Sequence, residues 1–299
     1  MKQYIDCLSH VMNNGIDKQN RTGIDTRSVF GYQMRFDLAV GFPAVTVKKL
    51  LWEMVTSELL WFLEGNVDER RLAEIRYQDD RSNLIGKRTI WTDNADHQGV
   101  ALGYENTDTI KELGPIYGYQ WRNYDFVYYK NSSEVLKSGR ANGVDQISNA
   151  INEIKTNPDS RRIIVSAWNP LQIKNMALPP CHCFFQFYVV NGKLSCQMYQ
   201  RSVDVGLGLP ANIASYSLLT HMIAKECDLE VGEFVHTSGD LHVYHNHFDA
   251  IDTMTNREPL PLPELWLNPE VKSVFNYTMD DIKLIGYNHH PNVKMQMAV

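Results

Sequence analysis

The chain has 299 residues, of which 43% are hydrophobic and 21% charged, a composition typical of a globular protein with a sizeable core. Its formal net charge of -6 argues against general nucleic-acid binding, which needs a basic surface, but allows a local basic pocket for one phosphate. Its five cysteines lack the spacing of a disulfide framework, and no apolar run is long enough to cross a bilayer. Because the N-terminus also lacks an apolar signal-peptide core, these features predict a soluble, cytoplasmic protein.

Helices and strands are predicted to be interspersed along the chain. In order, apolar spacing predicts a helix at 4–12, a strand at 28–36, a helix at 47–63 with Gly65 as its stop, and a helix at 143–155. It then predicts strands at 163–168, 183–190 and 193–199, a helix at 213–227, a strand at 233–237 and a helix at 242–256. The polar, irregular segments 79–113 and 124–143 are predicted to be surface insertions.

The order of these elements indicates the fold class. Asn191-Gly192, between two predicted strands, is typical of a two-residue β-hairpin. Helices interspersed with strands, together with an antiparallel hairpin, predict a mixed α+β fold. Because no repeat, low-complexity tract or Pro/Ser linker divides the chain, a single domain over residues 1–299 is predicted.

The segment Leu-Pro-Pro-Cys-His-Cys at 178–183 is the sharpest local feature, since two prolines place Cys181 at the entrance of an apolar strand. A nucleophilic cysteine reacts as the thiolate and needs cationic or donor neighbours. An arbitrary cysteine is more often a buried structural residue. Metal binding by Cys181, His182 and Cys183 is a third interpretation, disfavoured because no second Cys/His pair follows at zinc-finger spacing.

Arginines lie at turns and at the ends of predicted strands. They are Arg21, Arg161, Arg162 and Arg201, the last flanked by Gln200 and Ser202. Guanidinium forks and hydroxyls in such places suit phosphate binding. Each arginine alone is more often an ordinary surface charge, so only their convergence in the fold would make a phosphate site.

Glu58 lies within the predicted helix at 47–63. Its neighbours one turn away are Met54, Val55, Trp61 and Phe62. A carboxylate in such apolar surroundings loses hydration, which favours a raised pKa and suits proton transfer near neutral pH. A buried salt bridge or a differently phased helix face explains the same position equally well.

Three histidines, His242, His245 and His247, follow Ser-Gly-Asp at 238–240 and are close enough in sequence to suggest a metal site. If this segment is a strand, the period of two puts His242 and Tyr244 on one face. A hydrogen-bonding pair of His242 and Tyr244 is therefore favoured over a metal cluster.

Short motifs recur in a fixed order along the chain. They are Asn-Arg-Thr-Gly at 20–23, Gly-Phe-Pro at 41–43, Glu-Leu-Leu-Trp-Phe-Leu at 58–63, Gly-Pro-Ile-Tyr-Gly at 114–118, Asp-Ser-Arg-Arg at 159–162, Leu-Pro-Pro-Cys-His at 178–182, Gln-Arg-Ser-Val-Asp at 200–204, Asn-Ile-Ala-Ser-Tyr at 212–216, Gly-Asp-Leu-His-Val-Tyr at 239–244 and Met-Ala-Val at 297–299. Each motif alone is weak. In this order and at these separations, the sequence resembles the thymidylate synthase family nearly from end to end.

The resemblance implies methylation of dUMP at C5. Cys181 would add to C6 of the pyrimidine, and C5 would then attack the methylene group of 5,10-methylenetetrahydrofolate. Glu58 would organise waters that move protons, with Tyr117 and His182 in the same network. Asn212 would pair with N3-H and O4, which selects uracil over cytosine.

The resemblance also implies the binding residues. Those for dUMP would be Arg21, Gln200, Arg201, Ser202, Asp204, Asn212, His242 and Tyr244, with Arg161 and Arg162 reaching the phosphate from a partner subunit. Those for the folate would be Lys48, Ile90, Trp91, Asp204, Gly208, Ala211, Ala298 and Val299. An obligate homodimer with the sheet at its interface is thus expected, with no metal, DNA or membrane partner.

Three positions depart from the family pattern. Ala211 stands where phenylalanine is usual, Thr92 replaces the aspartate after Trp91, and Leu241 replaces a smaller residue before His242. The missing aromatic contact at Ala211 is worth on the order of 2 kcal/mol. A looser folate site would let water reach the C5 methylene instead of hydride, so a dUMP hydroxymethylase is the alternative to a dTMP-forming synthase. A non-catalytic nucleotide- or RNA-binding protein is the second alternative, and the sequence favours the synthase.

Overall fold

The computed structural model describes residues 1–20, 23–125 and 143–296, together with the backbone of two short strands between 126 and 142. The helices of this part are α1 (Lys2–Asn14), α2 (Trp52–Glu64), α3 (Glu69–Tyr77), α4 (Thr92–Asn94), α5 (Tyr117–Asn123), α6 (Gln146–Thr156), α7 (Gly208–Glu226) and α8 (Phe248–Thr255). Its strands are β1 (Ile16–Lys18), β2 (Thr26–Asp37), β3 (Tyr129–Lys130), β4 (Glu134–Val135), β5 (Ile164–Ser166), β6 (His182–Val190), β7 (Lys193–Asp204), β8 (Glu230–Tyr244), β9 (Glu264–Leu267) and β10 (Ile282–Ile285). No helix among the described residues is long and apolar enough to span a membrane.

A six-stranded mixed sheet organises the fold, in the order β1-β2-β8-β7-β6-β5. Strands β7 and β8 are parallel, and the other neighbours are antiparallel. Asn191 and Gly192 both have positive φ, which is the geometry that a two-residue hairpin needs between β6 and β7. The predicted α+β fold with a mixed, largely antiparallel sheet is therefore confirmed.

Helices cover one face of the sheet and form the core with it. The long apolar helix α7 packs on β7 and β8, and α1 packs on β2. Helix α2 is buried along most of its length and packs between α5, α3 and α7. Because α2 lies inside the molecule, polar side chains in its middle are held away from bulk water.

Most predicted elements are confirmed, with shifted boundaries, but the predicted helix at 47–63 begins only at Trp52. Its end is confirmed, since Gly65 has the left-handed conformation (φ 71°) that terminates α2. The residues before Trp52 use their backbone for tertiary bonds instead. The Leu50 N–H donates to the Tyr287 hydroxyl at 2.8 Å, and the Val47 carbonyl accepts from Arg257 at 2.6 Å. Apolar spacing alone does not reveal these competing partners.

The predicted helix at 242–256 is also partly wrong. Strand β8 continues through Tyr244, a single 3-10 turn covers His245–His247, and only Phe248–Thr255 is α-helical. Pairing with β2 explains this, because Thr26 lies opposite Tyr244 and Ser28 opposite His242. His242 and Tyr244 are consequently on a strand.

The prediction that 79–113 is a surface insertion is also partly wrong, because the segment mixes exposed residues with buried ones. Leu84, Trp91 and Leu113 in this segment are buried, and short helical turns run through it. Its polarity is misleading because several polar side chains bond to one another inside the protein. Most of the second polar segment, 124–143, lies outside the described residues.

Candidate active site

The hairpin of β6 and β7 brings the candidate nucleophile next to a cation. Antiparallel pairing sets His182 opposite Gln200, and the Arg201 N–H donates to the Cys181 carbonyl at 2.8 Å. The Arg201 guanidinium then turns back towards the proline pair. It donates to the carbonyls of Pro179 and Pro180 at 2.8 Å each and lies 3.8 Å from the Cys181 sulfur. Its positive charge favours negative charge on that sulfur.

Cys181 and Arg201 lie at a cleft of about 560 Å³ that also contains Ser202, His242 and Tyr244. Five residues predicted from three separate motifs therefore line one cavity. The half-buried thiol is accessible from this cleft, whereas the neighbouring Cys183 is buried. Such a site can bind a small anionic molecule against a thiol.

An acid–base pair on β8 orients one wall of the cleft. The Nδ1–H of His242 donates to Asp240 at 3.1 Å, and Lys18 forms an ion pair with the same carboxylate. The hydrogen bond from His242, reinforced by Lys18, lowers the pKa of Asp240 to about 2. With Nδ1 held by Asp240, Nε2 is the His242 nitrogen that remains for a ligand.

A buried hydrogen-bond chain fixes the Asn212 amide at the start of α7. The Gln200 amide nitrogen donates to the Asn212 Oδ1 at 2.9 Å, and the Gln200 oxygen accepts from His236 Nε2 at 3.0 Å. Burial lowers the pKa of His236 to about 3, so the ring is neutral at physiological pH. The direction of the chain leaves the Asn212 NH₂ group as a donor for a ligand.

Glu58, in the middle of α2, receives a hydrogen bond of 2.6 Å from the indole N–H of Trp91. Burial raises the pKa of Glu58 to about 7, although the Trp91 bond acts in the opposite direction. Among the described residues Glu58 has no ion-pair partner, which argues against the salt-bridge interpretation. A carboxyl group with such a pKa can both accept and release a proton near neutral pH.

Aromatic residues connect Glu58 to the thiol. The Trp91 ring lies 5.8 Å from that of Tyr117, which in turn lies 4.1 Å from the His182 ring. The Tyr117 hydroxyl accepts the backbone N–H of Cys181 at 2.7 Å. Ring contacts and hydrogen bonds thus connect Glu58, through Trp91 and Tyr117, to His182 and to the backbone of Cys181.

His182 is buried and shares a 2.7 Å hydrogen bond between its Nδ1 and the Tyr216 hydroxyl. Burial, with a smaller contribution from the neighbouring His236 ring, lowers the pKa of His182 to about 3. The ring is therefore neutral and acts as a hydrogen-bonding group and not as a cation.

The other predicted site residues are more scattered. Arg161 and Arg162 are exposed just before β5, and Ile90 is partly exposed beside Trp91. Lys48 is buried and donates to the Gly206 carbonyl at 2.5 Å, and burial lowers its pKa to about 8 against the opposing charge of Asp204.

Near Lys48, the Asp204 carboxylate accepts the N–H groups of Gly206 and Leu207, just ahead of Gly208 and Ala211 in the first turn of α7. This turn connects the end of β7 to α7. Arg21, Ala298 and Val299 lie outside the described residues.

Several residues at or next to the site were missed by sequence reasoning. Among them are Lys18, Gln98 and Asp240, which line the cleft, Tyr216, which bonds His182, and His236, which bonds Gln200. Asp240 had a detectable signal, since it stands two residues from His242 on a strand and so shares its face. Lys18, Gln98 and Tyr216 carry no local signal, because only the tertiary fold brings them here.

Fold and site together define a class of enzyme. A mixed α+β protein whose cleft combines a thiol and a guanidinium, backed by a carboxyl group of near-neutral pKa, is equipped for covalent and proton-transfer chemistry. Among the described residues, no group of three or more His, Cys, Asp or Glu side chains is arranged to hold a metal ion.

The family model for thymidylate synthase matches residues 2–299, and the chain belongs to the thymidylate synthase family. Membership indicates a methyltransferase for folate-dependent methylation of dUMP, with methylenetetrahydrofolate as co-substrate.

Proposed function

We propose that this chain is a dTMP-forming synthase, which methylates dUMP reductively and releases dihydrofolate, and that one catalytic domain spans residues 1–299. The observation that carries the proposal is the Arg201 guanidinium 3.8 Å from the Cys181 sulfur, at one cleft with Ser202, His242 and Tyr244. A cation beside the sulfur favours the thiolate, which is the form that adds to C6 of the pyrimidine. Arg201 and Ser202 supply donors for the phosphate, and Arg21 is proposed to join them.

Asn212 selects the base. Its NH₂ group donates to O4 of uracil, and its oxygen, already held by Gln200 at 2.9 Å, accepts N3–H with its second lone pair. Cytosine presents the opposite pattern, with an amino group at C4 and an unprotonated N3. Because Gln200 is itself bonded to the neutral His236, the Asn212 amide cannot flip without breaking the chain.

Glu58 moves protons at the pyrimidine O4 and at C5. Addition of the thiolate to C6 pushes charge onto O4, so a proton donor near neutral pKa stabilises this intermediate, and removal of the C5 proton needs a base of similar strength. Glu58, with a pKa of about 7, suits either step through ordered water. Tyr117 and the neutral His182 hold the hydrogen-bonding network between this carboxyl group and Cys181.

The residues proposed to bind the folate are Lys48, Ile90, Trp91, Asp204, Gly208, Ala211, Ala298 and Val299. Bound there, the folate supplies the methylene group and then a hydride. Trp91 and Asp204 are already held in place, the former by Glu58 and the latter by two backbone N–H groups. Ala211, in the first turn of α7, offers the folate only a methyl group, which is smaller than the phenylalanine usual in the family.

We further propose a homodimer that uses the uncovered face of the sheet. Phe184 and Tyr188 on β6 and Ile164 on β5 are 42%, 57% and 46% exposed, and Phe184 stacks on Tyr199 of β7. Such an apolar face is unusual on a monomer, and a second copy would bury it. Arg161, in the turn next to this face, is then placed to reach the partner's cleft together with Arg162. Tyr188→Glu should give monomers by sedimentation, whereas Thr253→Glu on the exposed side of α8 should not.

The dUMP hydroxymethylase remains a second candidate because of Ala211. A methyl group in place of a ring leaves room for water near the C5 methylene, and water would then compete with hydride. Both enzymes share every step up to that methylene, so the product alone separates them.

The deciding experiment incubates the protein with dUMP and methylenetetrahydrofolate, follows dihydrofolate by absorbance and weighs the nucleotide. Dihydrofolate formed in step with dTMP supports the synthase. A nucleotide that carries one extra oxygen, with tetrahydrofolate unoxidised, identifies the hydroxymethylase. If neither product forms and a fluorinated dUMP analogue with folate does not trap Cys181, the protein is a non-catalytic binding protein. Cys181→Ser is the matched control and should form no product and no adduct.

A further inference from the structure

We propose that a buried polar cluster of Glu69, Thr89 and Thr92, completed by Arg70, positions Trp91 so that its indole N–H holds Glu58. The inference rests on the proposed role of Glu58 in proton transfer. It concerns residues in and next to the polar segment 79–113, away from the cleft.

The cluster is built on a buried ion pair at the start of α3. Glu69 is 0% and Arg70 1% exposed, and the guanidinium binds the carboxylate with two hydrogen bonds of 2.6 and 2.7 Å. Arg70 also donates to the carbonyls of Leu84 (3.1 Å) and Lys87 (2.9 Å). A buried pair of charges is tolerated only when such additional bonds satisfy it, so the segment that supplies these carbonyls is held against α3.

Two threonine hydroxyls complete the hydrogen bonding of the Glu69 carboxylate. Thr89 and Thr92 each donate to Oε1 of Glu69 at 2.6 Å. The Thr92 hydroxyl oxygen also accepts a hydrogen bond from the Thr89 N–H at 2.8 Å. The Thr89 hydroxyl oxygen accepts one from the backbone N–H of Trp91 at 3.2 Å. The turn that carries Trp91 is therefore closed on itself and attached to one buried carboxylate.

This attachment explains the departure from the family pattern at Thr92. An aspartate at 92 would put a second negative charge against the buried Glu69 carboxylate. A threonine there provides a donor to Glu69 and an acceptor to the Thr89 backbone at the same time. Thr92 and Glu69 thus belong together, and each suits the other.

The position of Trp91 matters because of what it holds. Its indole N–H donates to Glu58 at 2.6 Å, which is the one side-chain hydrogen bond that Glu58 receives among the described residues. The titratable groups that sense the charge of Glu58 are Tyr117 on α5 and Tyr216 on α7, and burial raises the pKa of both well above 10, so neither carries charge. Because the Trp91 bond favours the carboxylate against burial, displacement of Trp91 should raise the pKa of Glu58 further.

The test uses Thr92→Val, which keeps the shape of the side chain and removes the hydroxyl. The six tryptophan indoles are followed by proton–nitrogen NMR in labelled protein, with Trp91→Phe to assign the Trp91 signal. The pH dependence of the Trp91 signal reports the ionisation of Glu58. We expect Thr92→Val to raise its midpoint by about half a pH unit or more, and to lower kcat at neutral pH about fivefold, with the pH profile of kcat moved in the same direction.

Three further variants make the result interpretable. Thr92→Ser restores the hydroxyl and should return the midpoint to that of the parent protein. Thr253→Val removes an exposed hydroxyl on α8 and should change neither midpoint nor kcat. If Thr92→Val does not fold, Thr89→Val removes the second hydroxyl on the same carboxylate from a half-buried site, and the same rise is expected.

An unmoved Trp91 midpoint in a folded Thr92→Val or Thr89→Val protein overturns the inference. A midpoint that rises equally in Thr92→Ser overturns it too, because the hydroxyl is then irrelevant. The NMR titration needs no turnover, so failure of the proposed synthase activity in the parent protein is recognised separately, by absence of dTMP.

Discussion

Replacement of Glu58 by glutamine tests whether burial sets the ionisation of the proposed proton-transfer group. Glutamine has nearly the same shape, and its amide oxygen can still accept the Trp91 indole N–H. It carries no charge at any pH. Glu58→Gln should abolish turnover or lower it severely, and it should also make the protein more stable above neutral pH.

The magnitude follows from the pKa, which burial raises from an ordinary value of 4.5 to about 7. Between these values the folded protein holds the Glu58 proton while the unfolded chain has released it, so the free energy of unfolding falls as pH rises, and the loss is complete above about 7. One pKa unit is worth about 1.4 kcal/mol, which gives at most about 3 kcal/mol. Because the Glu58 side chain keeps partial exposure, we expect a loss of about 2 kcal/mol in the free energy of unfolding.

The assay is urea unfolding of the parent protein and Glu58→Gln at about pH 5 and about pH 8, at one fixed protein concentration and without ligands. The parent should lose about 2 kcal/mol more than the variant between these two values. Burial lowers the pKa values of His182, His221 and His236, which therefore destabilise the folded state as pH falls below about 6.5. They do so in both proteins, so the difference between the proteins cancels them.

Parallel pH dependence in the two proteins would refute the reasoning, because Glu58 would then ionise in the fold as it does in water. A variant that is less stable than the parent at about pH 8 would contradict it more strongly, since the charged carboxylate would be the favoured form in the interior.

Three further predictions concern the surroundings of the thiol and the folate. Arg201→Lys keeps the charge, but a lysine cannot donate to both proline carbonyls while it lies beside the sulfur. Iodoacetamide should therefore alkylate Cys181 about tenfold more slowly in this variant, as followed by peptide mapping. An unchanged rate of alkylation would count against the role proposed for Arg201. His247 donates from Nε2 to the Gln296 carbonyl at 2.8 Å. His247→Ala should therefore loosen the C-terminal segment and raise the KM for folate about fivefold, with little change in the KM for dUMP. The same KM for folate in the variant and the parent protein would show that the bond is dispensable. Ala211→Phe should leave turnover intact or lower the KM for folate, whereas a large loss of activity would show that the pocket has been rebuilt around a small residue.

Local patterns in the sequence determined the elements whose interactions are local. The helix found at Gln146–Thr156 and the hairpin at Asn191-Gly192 follow from apolar spacing and turn chemistry within a few residues. The motif around Cys181 and the ordered set of motifs indicated the family, which the match over residues 2–299 confirms. The apolar surroundings of Glu58 were also visible in its helical neighbours.

Tertiary structure decided the features that depend on distant partners. The segment before Trp52 is irregular and not helical because Tyr287 and Arg257 bind its backbone, and β8 runs through Tyr244 because β2 pairs with it. The polar segment 79–113 is packed because Glu69, outside it, satisfies its hydroxyls. In each case the competing interaction comes from a part of the chain that no local window contains.

The candidate site shows the same division. The sequence could nominate Cys181, Arg201 and Glu58, because the residue types and their flanking prolines, hydroxyls and apolar neighbours are local properties. It could not place Arg201 3.8 Å from the thiol, or Trp91 2.6 Å from Glu58, 33 positions away in the chain. Those distances are set by sheet register and by the burial of charges that must find partners, and both are properties of the folded chain as a whole.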